Sequence, residues 1–254
     1  MAGDFTATPP TLPAGPRIRW GLPAALLAWV VGILAAGIAA SIVATAANVP
    51  ADRLSDDVGV LLASVIGQSA GVIGTLAVVA RTRGRGSLAA DFGLAARLPG
   101  DSWLRAATWL LAGVGLQLIS IPFLQLLVDV HGKVETQEVV QQFEKARGPS
   151  LVLFAIVVVT IAPLAEELLF RGALLRALLR RTTPAWAAFV SAAVFAAVHP
   201  LASPTIGSVI AVPALFALGL ISAGLAIRTR NLSASILLHA GFNLLTAVSV
   251  LVSH

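Results

Sequence analysis

Long apolar runs alternate with short polar stretches along the chain, and this pattern predicts membrane-spanning helices. A helix that crosses a bilayer needs about 20 mostly apolar residues. Seven stretches reach or approach this length, so the sequence predicts an all-α, polytopic transmembrane helical bundle of about seven spans. We place them at residues 22–47, 58–80, 104–128, 150–171, 185–199, 206–227 and 232–252, the fifth being short because Pro200 marks its end.

Composition supports an integral membrane protein. The chain is 57% hydrophobic and 11% charged, with a mean hydropathy of +0.91, whereas a soluble domain carries about a quarter charged residues. Its net charge of +5 is scattered between the apolar runs, which favours anionic lipid as a partner and excludes a nucleic-acid groove. Because the chain has no cysteine, disulfides and thiolate chemistry are excluded.

The basic residues also predict an orientation in the cell membrane. They cluster before the first span and in every second loop, and such loops face the cytoplasm. We therefore expect the N-terminus to be cytoplasmic and the C-terminus to lie outside. The residues used are Arg17, Arg19, Arg81, Arg83, Arg85, Arg97, Arg105, Arg171, Arg176, Arg180, Arg181, Arg228 and Arg230.

The chain divides into three regions by composition. Residues 1–20 hold four prolines, have no signal-peptide pattern and are expected to form a disordered, Pro-rich tail. Residues 21–149 form an N-terminal transmembrane region with spans 1 to 3 and an outer loop, in which 132–148 is expected to form a short amphipathic helix. Residues 150–254 form the core with spans 4 to 7.

Two adjacent carboxylates, Glu166 and Glu167, lie in an apolar run that begins at Leu151. An ionised side chain at bilayer depth costs at least ~2.5 kcal/mol, so such residues usually face a polar interior and mark function. Glu167 and Arg171 are four residues apart, share a helix face and are expected to pair. Glu166 points about 100° away from Glu167 and has no obvious partner on its own helix. This is the pattern of a free base beside a structural ion pair.

Two of the four histidines also fall in apolar segments. His199 lies near the end of the fifth span, and His239 lies in the seventh span together with Asn243, four residues further on the same face. His131 and His254 lie in an outer loop and at the last position, where a solvated side chain is the simpler interpretation.

The turn at 182–184 brings these groups to one level of the bundle. Glu166 and His199 lie about 16 residues on either side of it, each about 25 Å along its helix, so they stand level in an antiparallel hairpin. Phe195 shares a face with His199. Because His239 is only about 12 Å into the seventh span, the three groups meet only if the hairpin projects further into the cytoplasm than the turn before that span.

Simpler explanations exist for each polar residue taken alone. A single intramembrane histidine is more often a packing residue, and one Glu–Arg pair is often a structural staple. An acid, two histidines and an amide converging from three helices favour function, because each is costly in lipid. A proton-relay transporter would use the same residue types, but it predicts inverted repeats and broken helices in both halves, which the sequence does not show.

One motif points to a different chemistry and is rejected. Gly67-Gln68-Ser69-Ala70-Gly71 matches the nucleophile elbow of serine hydrolases, which requires a strand–turn–helix context. Here it lies in the middle of a predicted span. Glycines four residues apart in such a span predict a helix-packing surface.

Three motifs follow one another over roughly residues 150–250: EELLFR at 166–171, F-x-x-x-H at 195–199 and H-x-x-x-N at 239–243. They resemble the three motifs of the CPBP family, the intramembrane CAAX proteases and bacteriocin-processing enzymes, also called the ABI family. DFGL at 91–94 resembles the short loop that often precedes the core of this family. The resemblance implies a CAAX-protease-like core.

The resemblance also implies an activity, the hydrolysis of peptide bonds in membrane-bound or lipid-adjacent peptides and proteins. Glu166 matches the catalytic glutamate that would activate water, and Glu167 and Arg171 match its supporting pair, with Phe195 as a further supporting residue. The alternative is a non-catalytic membrane protein of the same fold that gives bacteriocin immunity or scaffolds a partner.

The remaining motif residues receive roles in the same way. His199 would help to hold or activate the water, and His239 and Asn243 would orient the substrate carbonyl or stabilise the oxyanion. The family is often called a metalloprotease family, and Glu166, His199 and His239 would alternatively form a zinc site with one open position. We prefer metal-free activation of water, because the sequence lacks the two-histidine helix of familiar zinc proteases.

Overall fold

The computed structural model describes residues 18–55, 57–94, 102–131, 148–202 and 205–253. Within these ranges there is no strand, and seven helices are long and apolar enough to cross a membrane. The prediction of an all-α, seven-span bundle is therefore confirmed. The helices are α1 (Leu22–Ala46), α2 (Val58–Arg83), α3 (Trp103–His131), α4 (Pro149–Leu179), α5 (Pro184–Ala202), α6 (Val212–Thr229) and α7 (Ser233–Ser253).

Several sequence predictions concern other parts of the chain. The Pro-rich tail up to residue 17, the outer segment 132–147, Arg97 and His254 lie outside the described residues, as does the side chain of His131. The cytoplasmic N-terminus and the division into three regions stay predictions.

The fourth span is longer than its hydropathy predicts. α4 continues to Leu179 instead of ending at Arg171. Counting Arg171 among the loop residues that orient the protein was wrong, because its side chain is fully buried inside the bundle. A buried carboxylate pairs with it, and a paired charge can remain in an apolar interior where an unpaired one cannot.

The fifth and sixth spans also differ from the prediction. α5 contains Pro200 and ends at Ala202, since a proline in the last turn removes only one backbone donor. The sixth span does not begin at residue 206. Residues Ile206–Ile210 form a separate short helix, and α6 begins at Val212 with a proline in its first turn, where a missing N–H is tolerated.

Glycines bring α1 and α2 into close contact. A Cβ atom at Gly67 would lie 2.6 Å from the carbonyl oxygen of Ala35, and one at Gly71 would lie 3.0 Å from the Cα of Gly32. Ser69 between them is buried in the middle of α2, and the described part of the chain contains no strand that could form a strand–turn–helix junction there. The interpretation of this motif as a packing surface is confirmed.

A second glycine contact holds α7 against α3. A Cβ atom at Gly113 would collide with the carbonyl of Leu238, and one at Gly241 would collide with the carbonyl of Leu110. Such small residues allow two helix backbones to approach closely in a membrane. Because Gly241 lies between His239 and Asn243 in the sequence, α3 helps to set the position of the face that carries both.

Candidate active site

α4 is not a regular α-helix near the two glutamates. Residues Val157–Ile161 and Leu168–Leu175 are π-helical, and the α-helical segment Ala162–Glu167 lies between them. π-helical turns are rare and occur frequently at functional sites. Pro163 explains the first of the two distortions, because a residue without an N–H cannot continue the regular hydrogen-bond ladder.

The distortion at Pro163 frees a backbone carbonyl that Asn243 then binds. The N–H of Ala162 donates to Val157 O and Pro163 has no N–H, so the carbonyl of Val158 lacks its usual backbone donor. The side-chain Nδ2 of Asn243 donates to that oxygen at 2.9 Å. Asn243 therefore anchors α7 to α4 through one of its two amide hydrogens.

Glu167 and Arg171 form the ion pair that their spacing predicts. Arg171 Nη1 lies 3.0 Å from Glu167 Oε1, and both side chains are fully buried. Arg171 Nη2 also donates to the carbonyl of Gly219 on α6 at 3.2 Å, and its Cζ lies 4.4 Å from the ring centre of Phe195 on α5. A buried ion pair needs such additional partners to offset its loss of hydration. The pair thus joins α4, α5 and α6.

The imidazole of His239 lies between the two carboxylates. Its Nδ1 is 3.2 Å from Glu167 Oε1, and its Nε2 is 3.6 Å from Glu166 Oε2. His239 is 3% exposed, whereas the side chain of Glu166 is 35% exposed. Of the two adjacent acids, Glu167 is therefore sealed in the bundle and Glu166 is open to a ligand.

The contact with Glu167 places a hydrogen on one nitrogen of the His239 ring. Glu167 is the carboxylate of the ion pair with Arg171, and a carboxylate can only accept a hydrogen bond, so Nδ1 carries a hydrogen. Nε2 is then the ring nitrogen that faces Glu166 and can exchange a proton there. Spacing alone predicted that His239 and Glu166 would meet. It did not predict the contact between His239 and Glu167.

Phe195 connects the two histidines. Its fully buried ring meets the ring of His199 at 4.9 Å and the ring of His239 at 5.5 Å, nearly at right angles in both cases. His199 Nδ1 donates to the carbonyl of Phe195 at 2.8 Å, which places the other ring nitrogen, Nε2, away from the backbone of its helix. The predicted shared face of Phe195 and His199 is confirmed.

The α4–α5 hairpin has the predicted register. Ser191 Oγ donates to the carbonyl of Phe170 at 3.0 Å, and the rings of Phe170 and Phe195 meet edge to face at 5.3 Å. Phe170 and Phe195 lie at equal chain distances from the turn. In the same register Glu166 and His199 stand level.

The hairpin also extends beyond the turn that precedes α7. Arg176 Nη2 donates to the carbonyl of Arg230 at 2.8 Å, which places that turn level with Arg176, while α4 continues to Leu179. This extra length of α4 is what allows His239, near the start of α7, to reach Glu166. The predicted projection of the hairpin is confirmed, although the side of the membrane on which it occurs stays a prediction.

The four residues predicted to surround one water molecule do not all touch. Glu166 and His239 are in contact, and His199 joins them through the ring of Phe195. Asn243 binds the α4 backbone, and the described contacts include none between Glu166 and either His199 or Asn243. Of the four predicted residues, the structure thus places Glu166 and His239 in direct contact.

The residues of the zinc alternative do not fit a metal site as they are placed. In the part of the chain that the structure describes, no group of three His, Cys, Asp or Glu side chains could hold one metal ion. Both ring nitrogens of His239 face carboxylates, and Nδ1 of His199 binds a carbonyl. We therefore derive no chemical step through a metal.

Helices α4 to α7 match a known protein family. Residues 148–245 match the family described as Rce1-like, type II CAAX prenyl endopeptidase. No curated protein and no solved structure matches the chain. The matched range contains Glu166, Glu167, His199 and His239, and it agrees with the resemblance seen in the three sequence motifs.

Proposed function

Because residues 148–245 are an Rce1-like domain within a seven-helix membrane bundle, we propose that the protein is an intramembrane endopeptidase in which Glu166 activates a water molecule. One observation carries this proposal. A buried row of contacts from Arg171 through Glu167 to His239 ends at Glu166, whose carboxylate is partly exposed. The substrate is a peptide or protein at the membrane, and the family description makes a prenylated CAAX peptide the first to test.

Glu166 acts as the general base. Its carboxylate takes one proton from a water molecule while the water oxygen bonds to the scissile carbonyl carbon, and the carbonyl π electrons move to the oxygen. A carboxylate at the wall of an apolar bundle suits this step, because few bulk water molecules compete with the attacking water for the carboxylate oxygens. General-base catalysis of this kind contributes about 10²–10⁴-fold in rate.

His239 completes the proton transfers. When the C–N bond of the tetrahedral intermediate breaks, the leaving nitrogen takes up the proton that Glu166 received, directly or through His239 Nε2. Glu167 holds the ring by its Nδ1–H and stabilises the imidazolium that forms during this transfer, as an acid behind a catalytic histidine does. Arg171 pairs with the same Glu167 oxygen and holds that carboxylate in place.

His199 and Asn243 act on the water and the substrate. His199 presents Nε2 at the level of Glu166, where it can hold the attacking water. Asn243 has one amide hydrogen committed to Val158, which leaves the second for the substrate oxygen. A donor aimed at a developing oxyanion contributes about 3 kcal/mol.

Analysis of protein N- and C-termini in membrane fractions tests the proposal, because cleavage of a terminal CAAX sequence leaves a new C-terminus on the protein. Cells expressing the wild-type protein, Glu166→Gln or Asp57→Asn are compared. Asp57 is a matched carboxylate that caps the start of α2, where Oδ1 accepts from Val60 N at 2.9 Å. We expect new protein termini with the wild type and the Asp57→Asn control, and none with Glu166→Gln.

Identical N- and C-termini in all three cell lines would contradict proteolysis. If a protective or scaffolding phenotype then persisted with Glu166→Gln, the non-catalytic alternative would be the better account of the fold.

A further inference from the structure

A segment between α2 and α3, residues 87–94, folds back on the arginine-rich end of the bundle, where α2, α4 and α6 end. It begins at Ser87, whose side chain caps the short helix Leu88–Phe92. Gly93 ends that helix in the left-handed conformation, with φ of +80°, which turns the chain sharply. This 87–94 segment lies outside the matched residues 148–245.

The 87–94 segment contacts α4 through Phe92. This side chain is fully buried, and its ring lies 4.5 Å from that of Trp20 before α1. A Cβ atom at Gly172 of α4 would lie 3.1 Å from the Cβ of Phe92. Gly172 thus lets the segment lie directly against α4, less than two turns beyond Glu166.

Asp91 ties the same segment to three elements. Its carboxylate is 2% exposed and accepts hydrogen bonds from Trp20 Nε1 at 2.9 Å and from the backbone N–H of Arg85 at 2.7 Å. Its charge also interacts favourably with Arg176 and Arg180 at the end of α4. A buried carboxylate with these partners holds a fixed position, which a solvated carboxylate does not.

Gly93 connects the segment to α7. Its carbonyl accepts from the N–H of Leu232, directly before α7, at 2.9 Å. A Cβ atom at Gly93 would collide with the guanidinium of Arg176 and would lie 3.1 Å from the carbonyl of Arg230. That guanidinium itself binds the Arg230 carbonyl at 2.8 Å. The segment, α4 and the start of α7 therefore meet at one junction.

We propose that the 87–94 segment is a positioning element that sets α7 against α4 and thereby the contact between Glu166 and His239. The junction lies about 15 Å along α4 from Glu166, counted from Arg176, and about 10 Å along α7 from His239, counted from Leu232. A packed helix transmits a shift over such distances nearly unchanged. The inference rests on the proposed function for its catalytic consequence. It also means that the Rce1-like domain depends on residues that precede it.

Gly93→Ala tests the junction, and Gly86→Ala is its matched control. Gly86 also has a positive φ, of +98°, but a Cβ atom there meets nothing within 4 Å. Both changes place a side chain on a backbone with positive φ, and only the first pushes on α4 and α7. Asp91→Asn removes the buried charge without added bulk, and it replaces Gly93→Ala as the test if that variant does not fold. Its control is Asp57→Asn.

The helix positions are read from spin labels. Because the chain has no cysteine, Thr182→Cys at the α4–α5 turn and Ser249→Cys on α7 provide two exposed attachment sites in each variant. Electron–electron double resonance in liposomes then measures the distance between the two labels. This distance runs obliquely to the helix axes, so it changes when α7 slides along α4. In parallel, kcat and KM are measured with an internally quenched, farnesylated peptide that ends in a CAAX sequence.

We expect Gly93→Ala to move the label distance by about 1 Å and to lower kcat by about 10²-fold, as misplacement by 1 Å does, with little change in KM. Asp91→Asn should act in the same direction, and both controls should match the wild type. An unchanged distance in Gly93→Ala and Asp91→Asn, or an equal shift in Gly86→Ala, overturns the inference. If the distance shifts while the wild type leaves the peptide intact, the positioning role stands and the proposed activity on this peptide fails.

Discussion

Nδ1 of His239 lies 3.2 Å from the same Glu167 oxygen that is 3.0 Å from Arg171, so one buried acid holds a cation on α4 and an imidazole on α7. Glu166, its neighbour in the sequence, is 35% exposed and faces the other nitrogen of the ring. The group that neutralises a buried arginine therefore also orients the histidine beside the proposed base. Stability and the proposed activity therefore both depend on Glu167.

Glu167→Gln should lose both functions of this acid, the neutralisation of Arg171 and the orientation of His239. Loss of one partner of a buried ion pair costs about 3–5 kcal/mol, and the ring of His239 loses its acceptor. We expect a lower thermal unfolding midpoint in detergent and a large loss of kcat on the quenched CAAX peptide.

The double variant Glu167→Gln/Arg171→Met distinguishes the two effects. Removal of both charges should restore most of the stability, because no unpaired charge remains in the bundle. Activity should stay low, since His239 still lacks its carboxylate. Recovery of activity together with stability would mean that Glu167 only neutralises Arg171.

Phe195→Leu removes the ring that touches Arg171, His199 and His239. Loss of a desolvated cation–π contact and three edge contacts, the third with Phe170, should lower the free energy of unfolding by about 1–3 kcal/mol. Phe189→Leu on the same helix is the control, because Phe189 is 45% exposed and lies apart from these groups. Chemical denaturation of both variants provides the comparison, and equal losses would argue against a special role for Phe195.

Asn243→Ala should cost about 1–3 kcal/mol, because it leaves the Val158 carbonyl without a donor. In a Pro163→Ala background, residue 163 has its own N–H and can supply that donor. The same change at Asn243 should then cost less. A double-mutant cycle on unfolding measures this coupling, and a coupling energy near zero would show that Pro163 does not create the need for Asn243.

Ser69→Ala should leave cleavage of the peptide at the wild-type rate, because Ser69 is buried within α2 and lies between two packing glycines. Gly71→Val should instead weaken the α1–α2 contact and lower the yield of folded protein in the membrane fraction, since its side chain would press on the Cα of Gly32. A loss of activity in well-folded Ser69→Ala would return the nucleophile-elbow motif to consideration.

The features that could be predicted from the sequence are those that depend on hydropathy and spacing. The seven spans follow from apolar run length, and the level of Glu166 and His199 follows from counting along two antiparallel helices. The Glu167–Arg171 pair follows from the four-residue spacing on one helix. Each of these depends on local geometry, which neighbouring helices change little.

The features that were missed depend on how separate helices meet. Spacing indicates which residues of α7 share a face, but it does not decide which of two adjacent carboxylates His239 approaches. The π-helical segments of α4 change the direction of every side chain around the glutamates, and only Pro163 signals one of them. Asn243 was expected at the substrate and binds a carbonyl that this proline frees.

The most direct test of the central claim is the rate at which purified wild-type protein and Glu166→Gln, reconstituted in liposomes, hydrolyse the quenched CAAX peptide. Gln keeps the shape of the side chain and removes the base, so we expect wild-type cleavage and a loss of about 10²–10⁴-fold in kcat for the variant, with unchanged folding. Cleavage by Glu166→Gln at the wild-type rate would contradict the activation of water by Glu166.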